Sequence, residues 1–207
     1  DFMVAANESV AEKLFWEEIP AIYRVHEDPD KEKIKTLNDT LIKFGYHLKN
    51  LDDIHPGKFQ TIIEKTTDLD EGYLIHKLIL RAMQRARYNN KNLGHFGLSS
   101  KYYLHFTSPI RRYSDLIVHR VLGKSLERFI KVKEKEKMLS EFELISKHIS
   151  KTERDADRME EESIKIKLIE YMKDKVGEVF IARISGMNKS KIFMELENHV
   201  EVVYNVH

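Results

Sequence analysis

The chain has 207 residues, with 35 Lys and Arg against 34 Asp and Glu, a formal net charge of +1 at pH 7, and 42% hydrophobic and 33% charged residues. That suffices for one mid-sized domain, or one domain and a small module, and bulk charge does not mark a nucleic-acid binder, so any phosphate recognition must come from local placement of Lys and Arg. No apolar run approaches the roughly 18–20 residues that span a bilayer, no charged start precedes an apolar segment, and the absence of cysteine removes disulfides, thiolate metal sites and cysteine nucleophiles.

A cytoplasmic setting with no membrane partner is therefore expected. The chain opens inside a helical pattern, with Phe2, Ala6, Val10 and Leu14 four apart on one face. It stops at Val206-His207 within strand-like residues, so a fragment of a longer protein is expected. The first helix ends by Pro20, and residues 22–25 read as a short extended run. Asp28 as N-cap and Pro29 in the first turn start a second helix carrying Ile34, Leu37, Leu41 and Phe44, with Gly45 as its C-cap. After His55-Pro56-Gly57 a short helix carries Phe59, Ile62 and Ile63. A longer one over 69–87 carries Tyr73, Leu74, Leu78 and Met83.

Residues 88–100, rich in Asn, Gly and Ser, read as an irregular loop, and 102–106 as a short strand. Thr107-Ser108-Pro109 then opens a helix in which Ile110, Ile117, Val121 and Leu126 can face the core. The alternating Lys and Glu of 131–137 read as a solvated connection. Met138, Phe142, Ile145 and Ile149 form one stripe, continued by Thr152, Ala156, Met159, Ser163 and Ile166. Ser150-Lys151-Thr152-Glu153 matches a capping box, so one long rod and two packed helices both fit, and coiled-coil pairing is a further option. From Val176 the period changes: 179–184, 192–196 and 200–204 are β-rich, broken at Gly186 and near Glu197-Asn198. The fold class is α+β, with a domain boundary near Asp174 and three strands after it, too few for a closed barrel.

The run His105 to Asp115, HFTSPIRRYSD, carries the chemistry. With Ser108 as N-cap and Pro109 first in the helix, Arg111 and Arg112 fall in the first turn, where two cations oppose the helix dipole by a few tenths of a kcal/mol each. A bound phosphate resolves that conflict, because backbone N–H groups, the hydroxyls of Thr107 and Ser108, and two guanidinium forks converge on it. The plainer reading pairs Arg112 with Asp115 and leaves Arg111 in solvent. Asp115 and His119, four apart, suit an acid–base pair or, more simply, a surface ion pair. His95, His105 and His119 lack zinc-type spacing and read as hydrogen-bonded structural histidines. Tyr102, Tyr103 and Phe106 are able to stack on bases, with Phe106 assigned to the core.

HFGL at 95–98 followed by YYLHFTSPIRRYSDLIVHR at 102–120 resembles the signature of the ribonuclease II and ribonuclease R family. FMVAANESVA (2–11), PAIYRVHEDP (20–29) and LILRAMQRARY (78–88) are similar to segments of its catalytic domain, called RNB. VGEVFIARISGM (176–187) resembles the start of the OB-type RNA-binding barrel that follows RNB. The resemblance implies that residues 1–174 are the C-terminal portion of an RNB catalytic domain, mostly helical, and that 175–207 are an incomplete OB-type domain.

It further implies a processive 3′→5′ exoribonuclease that hydrolyses single-stranded RNA to nucleoside 5′-monophosphates with magnesium. Arg111 would sit by the scissile phosphate and stabilise phosphoryl charge, a role worth roughly 10³–10⁵ in rate for comparable arginines. Glu160 would contact the terminal nucleotide, although the arginine usually beside it is here Glu161. Arg112, Tyr113, Ser108, Thr107 and His105 are the implied RNA contacts. The family holds magnesium through closely spaced aspartates near the start of RNB, which Asp52-Asp53, Asp68/Asp70 and Asp155/Asp157 do not match. No metal on these residues, no small-molecule cofactor, a monomer, and no activity of the chain alone are the resulting expectations. Two other readings stand beside this one: a non-catalytic RNA-binding or scaffold protein on the same fold, and a helical phosphate-sensing or protein-interaction domain.

Overall fold

Burial places α1 (Phe2–Trp16): Ala11 and Leu14 lose all exposed surface in a cluster shared with Ile22, Val25, Leu104, Val118 and Phe142. Each large aliphatic buried there contributes roughly 1.5–3 kcal/mol. The inward stripe is Asn7, Ala11 and Leu14 rather than the expected Phe2-Ala6-Val10-Leu14 row, and Phe2 is 96% exposed. Asn7 takes the inward place because its amide is used. Its Nδ2 donates to the Tyr103 hydroxyl at 3.2 Å and its Oδ1 accepts the Phe106 N–H at 2.9 Å. A count of apolar residues cannot register such a position.

The structure is a computed structural model describing residues 2–198 and 200–206, and its contacts divide the chain into two units. The first holds α1, β1 (Tyr23–Val25), β2 (Arg87–Asn89), a 3-10 turn (Phe96–Leu98), α5 (Tyr113–Glu127) and the part of α6 (Val132–Lys173) up to Asp155. β1 and β2 pair antiparallel with Arg24 opposite Tyr88, so the expected irregular loop at 88–100 begins in fact as a strand. On the free side of that strand the Tyr88 N–H donates to Ser150 Oγ at 2.9 Å. Ser150 is therefore spent on tertiary contact and caps nothing. α6 runs unbroken for 42 residues, and its first turns absorb 132–137, whose Lys and Glu are good helix formers. The 102–106 segment is extended but joins no ladder; Arg24 N–H donates to the Tyr103 carbonyl at 3.0 Å. Of the residues expected inward on the next helix, Ile117 and Val121 are buried, whereas Ile110 is 96% and Leu126 70% exposed.

The second unit holds α2 (Lys31–Lys43), α3 (Pro56–Thr66), α4 (Gly72–Ala82), the remainder of α6, and β3 (Ala182–Met187), β4 (Lys191–Leu196) and β5 (Glu201–Asn205). α2 starts at Lys31, later than Asp28 and Pro29 suggested, because Pro29 is buried and the chain is non-helical through Asp30. Gly45 does end it, with φ +83° and the Tyr46 N–H on the Leu41 carbonyl at 3.0 Å. α4 is shorter than 69–87 and buries Gly72, Ile75, Ile79 and Ala82 instead of Tyr73, Leu74, Leu78 and Met83. A Cβ on Gly72 would lie 1.9 Å from the Thr66 carbonyl oxygen, so glycine sets how closely α4 follows α3.

The expected second stripe of α6 does not form: Thr152, Ala156 and Ser163 are exposed, as are Met159 (68%) and Ile166 (57%). The strands form one antiparallel sheet in the order β3-β4-β5 that closes no barrel. Gly186 lies inside β3, at a register shift, instead of ending the strand. Lys77 on α4 reaches Glu195 and Glu201, both at 3.2 Å, tying the sheet to the helix. The architecture is α+β, and among the described residues no helix is long and apolar enough to cross a membrane.

Replacing Asn7 with Ala strands the Phe106 N–H and the Tyr103 hydroxyl, and should lower unfolding free energy by about 1–3 kcal/mol. Urea titration followed by circular dichroism measures this. An effect as small as that of the exposed Ser9→Ala control, within about 0.5 kcal/mol, would refute the role given to Asn7.

Candidate nucleic-acid interface

α5 begins at Tyr113, four residues beyond the expected start, and Arg112 before it is extended (φ −127°, ψ 119°). Residues 108–112 form a turn in which the Arg111 and Arg112 N–H groups reach the Ser108 carbonyl at 3.3 and 3.2 Å. The two arginines thus precede the helix, and the conflict with its dipole does not arise. The first helical turn carries an acid instead. Asp115 has no exposed surface and accepts four hydrogen bonds: Ser108 N–H at 2.8 Å, Arg112 Nε and Nη2 at 2.9 Å each, and Ser114 Oγ at 3.1 Å. A carboxylate has about four acceptor sites, and all are filled.

For Arg112 the plainer reading therefore holds. Its fork is committed to Asp115. Arg111 is exposed, and its guanidinium has no partner among the described residues. It stands on a tip with Pro109 and Ile110, and Tyr113 just beyond is 51% exposed. Thr107 and Ser108 are half-buried beside this turn. Asp115 and His119 do not pair: the acid is used inside, while His119 Nε2 lies 2.8 Å from the Phe106 carbonyl and its ring stacks on Phe106 at 4.1 Å.

Behind the turn runs a second network that sequence reasoning missed. Arg24 Nη1 donates to Glu153 Oε2 at 2.6 Å, and its guanidinium lies 4.7 Å from the centre of the Tyr88 ring. The Tyr88 hydroxyl is 3.0 Å from His105 Nδ1. Edge-to-face contacts continue from His105 to Tyr103 (5.8 Å), His95 (5.1 Å) and His26 (5.3 Å). The Gly97 N–H donates to His26 Nδ1 at 3.1 Å, and a Cβ on Gly97 would sit 2.8 Å from that nitrogen. The glycine of HFGL is explained by that approach.

Burial pushes the His105 imidazole down to about 3, helped by the Arg112 and Arg24 charges, and His95 down to about 4, helped by His26 and Arg24. Burial likewise lowers His26 and raises the Tyr88 phenol. All four are neutral near pH 7, so His105 offers a hydrogen bond but no cation. His95 differs from its expected role: its buried Nδ1 has no hydrogen-bond partner among the described residues.

Glu160 lies exposed on α6 in the second unit. Glu153 belongs to the first unit with the arginine turn, and it is followed by Arg154, the acid–arginine pair that Glu160-Glu161 lacks. Among the described residues no group of three or more His, Asp or Glu side chains is placed to hold a metal ion, so the implied magnesium does not fit the residues present.

Two outcomes follow. Asp115→Asn breaks a buried ion pair and should cost about 3–5 kcal/mol in urea unfolding, whereas Arg111→Ala should change stability by no more than about 0.5 kcal/mol. Equal effects would overturn the division of labour between the two arginines. The second concerns pH. Below about 6.5 the unfolded chain protonates its histidines, while folded His105 and His95 resist until about 3 and 4. Stability is thus fullest above pH 6.5 and falls as pH drops toward 4. His105→Gln should flatten that fall between pH 6.5 and 4 relative to the parent chain, and an unchanged slope would count against a buried neutral His105.

Comparison with known proteins is consistent with this geometry. The family model of the RNB domain matches residues 1–128. Ribonuclease R of Aquifex aeolicus is 45% identical over 199 residues, and that of Thermotoga maritima 41% over 198, covering 96% and 95% of this chain. The chain spans about 28% of the length of either relative. The solved structure of Mycoplasma genitalium RNase R in complex with ribose methylated single-stranded RNA superposes with a TM-score of 0.88 at 30% identity, covering 97% of this chain and 32% of that one. The apo form of the same enzyme gives 0.89 at the same identity and coverage. On the family match and these relatives together, the chain belongs to the RNB-domain family.

Proposed function

We propose that this chain is the arginine-bearing portion of a 3′→5′ exoribonuclease that hydrolyses single-stranded RNA to nucleoside 5′-monophosphates. The observation that carries the reading is Arg111, an unpaired guanidinium displayed on a turn that buried Asp115 locks in place. Its fork can grip two oxygens of a phosphate and offset charge that grows on them during cleavage. Arg112 fixes the turn. Thr107, Ser108 and Tyr113 flank the phosphate, and His105 supplies a neutral hydrogen-bonding edge. For the glutamate that meets the terminal nucleotide we favour Glu153 over Glu160, because Glu153 precedes an arginine and is held by Arg24.

We further infer that residues up to about Asp174 are RNB and that β3–β5 begin an OB-type RNA-binding domain, in a monomeric cytoplasmic protein. Hydrolysis with magnesium needs carboxylates to hold the ion and generate the nucleophile. No such set exists among the described residues. The chain alone should therefore bind RNA without cutting it.

Incubation with labelled single-stranded RNA and magnesium should leave its length unchanged, while filter binding detects a complex. Arg111→Ala should weaken that complex and reduce the log–log salt slope by about 0.7, the value for one lost phosphate contact on a single strand. Chelator-sensitive shortening by the purified chain would sink the first claim, and an unchanged slope the second.

A further inference from the structure

A cleft of about 250 Å³ lies in the first unit between β2 with the loop after it and the middle of α6, lined by Arg87, Asn90 and Lys91 on one side and Glu143, Ser146 and Lys147 on the other. Ser146 is 2% exposed, yet its hydroxyl has no hydrogen-bond partner among the described residues. A helical serine commonly bonds back to the carbonyl one turn earlier, and a buried hydroxyl left unpaired is unfavourable. One turn on, Ser150 is satisfied by the Tyr88 N–H at 2.9 Å. At Ser146 no such donor is present, and the residue lines the cleft.

The charge around that hydroxyl is positive. Glu27 holds Arg87 from outside the cleft, through Nε at 3.1 Å and Nη2 at 2.8 Å. Glu143 is neutralised by Lys147 at 2.6 Å. Lys91 makes no side-chain hydrogen bond or ion pair among the described residues and acts on Glu143 only at longer range. Its charge is left for a ligand. A cation is excluded by these neighbours, and an apolar ligand would strand the serine. With liquid water occupying about 30 Å³ per molecule, the cleft has room for a tetrahedral oxyanion and an attached sugar.

We propose that this cleft binds a phosphate ester, Ser146 Oγ donating to one oxygen and Lys91 opposing its charge. The same chemistry is offered by a free nucleoside monophosphate and by an RNA backbone. The proposal goes beyond the nuclease reading and does not rest on it, since its test reads binding alone.

The test uses the isotope-labelled chain carrying Arg111→Ala, with separate titrations of inorganic phosphate, adenosine 5′-monophosphate and a short single-stranded RNA. Amide signals of Asn90, Lys91 and Ser146 should move and saturate with at least one of them. Movement with the monophosphate but not RNA assigns the site to free esters, and movement with RNA assigns it to the backbone. Ser146→Ala and Lys91→Ala should each weaken binding about tenfold, the loss expected for one charge-assisted hydrogen bond. Ser146→Ala removes a hydroxyl with no partner and Lys91 is exposed, so both variants retain the fold. No movement with any of the three up to millimolar concentration, or affinity unchanged in both variants, overturns the proposal.

Discussion

A carboxylate sealed from water has to be surrounded by donors, or it takes up a proton or stays out of the core. Asp115 has no exposed surface and meets that demand with donors from two stretches of chain, the turn at Ser108 and Arg112 and its own neighbour Ser114. The backbone on both sides of Arg111 is thereby tied to one group. Residues 109–111 span these anchors with Ile110 and Arg111 in solvent. The SPIRR run is thus less a helix start than a bow held at both ends. Proline helps, since its fixed φ shortens the list of shapes the turn can take.

The same economy of charge governs the wall behind the turn. Arg24, Tyr88, His105, His95 and His26 pack in a row, and the two nearby guanidinium groups make a further cation there unfavourable. Burial is the larger cause, so the histidines stay neutral and act as flat, polar-edged spacers. Positive charge facing an anion is then concentrated on Arg111, where it is not cancelled by Asp115 as it is for Arg112. Glu153 is drawn into the same row by Arg24, so acid and base groups are set by one contiguous packing arrangement within the first unit.

Much of this was legible in the sequence, and what was missed has a common cause. Gly45, the extended run that contains β1 (Tyr23–Val25) and the β-rich tail were readable because local backbone chemistry decides them. The inward face of α1, the unbroken α6 and the late start of α5 were not, because each is decided by a polar side chain making a distant contact. Asn7 reaches residues 103 and 106, Ser150 reaches 88, and Asp115 reaches back to 108. Apolar periodicity is blind to all three. Capping rules failed at both serines: the Ser150 hydroxyl is engaged with Tyr88, and the Ser108 backbone is held by Asp115 in a turn ahead of the helix. The Arg112–Asp115 pair was visible from spacing and Arg111 was singled out by the family resemblance, whereas Arg24 and Glu153, 129 positions apart, could be joined only in three dimensions.

The division between Arg111 and Arg112 also bears on the proposed separation of binding from cleavage. Both side chains carry about 2 kcal/mol of rotamer entropy when free. Arg112 has already lost its share by docking on Asp115, and a phosphate arriving there would have to displace a buried partner. Arg111 is exposed and has no partner among the described residues, so its fork is left for a ligand. A group of that kind can favour the more highly charged transition state over the singly charged phosphodiester, which is what stabilising phosphoryl oxygens requires. It cannot, however, deprotonate water. Burial pushes the His105 and His95 imidazoles down to about 3 and 4, too weakly basic to draw a proton from water, and four donors saturate Asp115, so in the proposed reading Arg111 holds a phosphate and these groups do not break its ester bond.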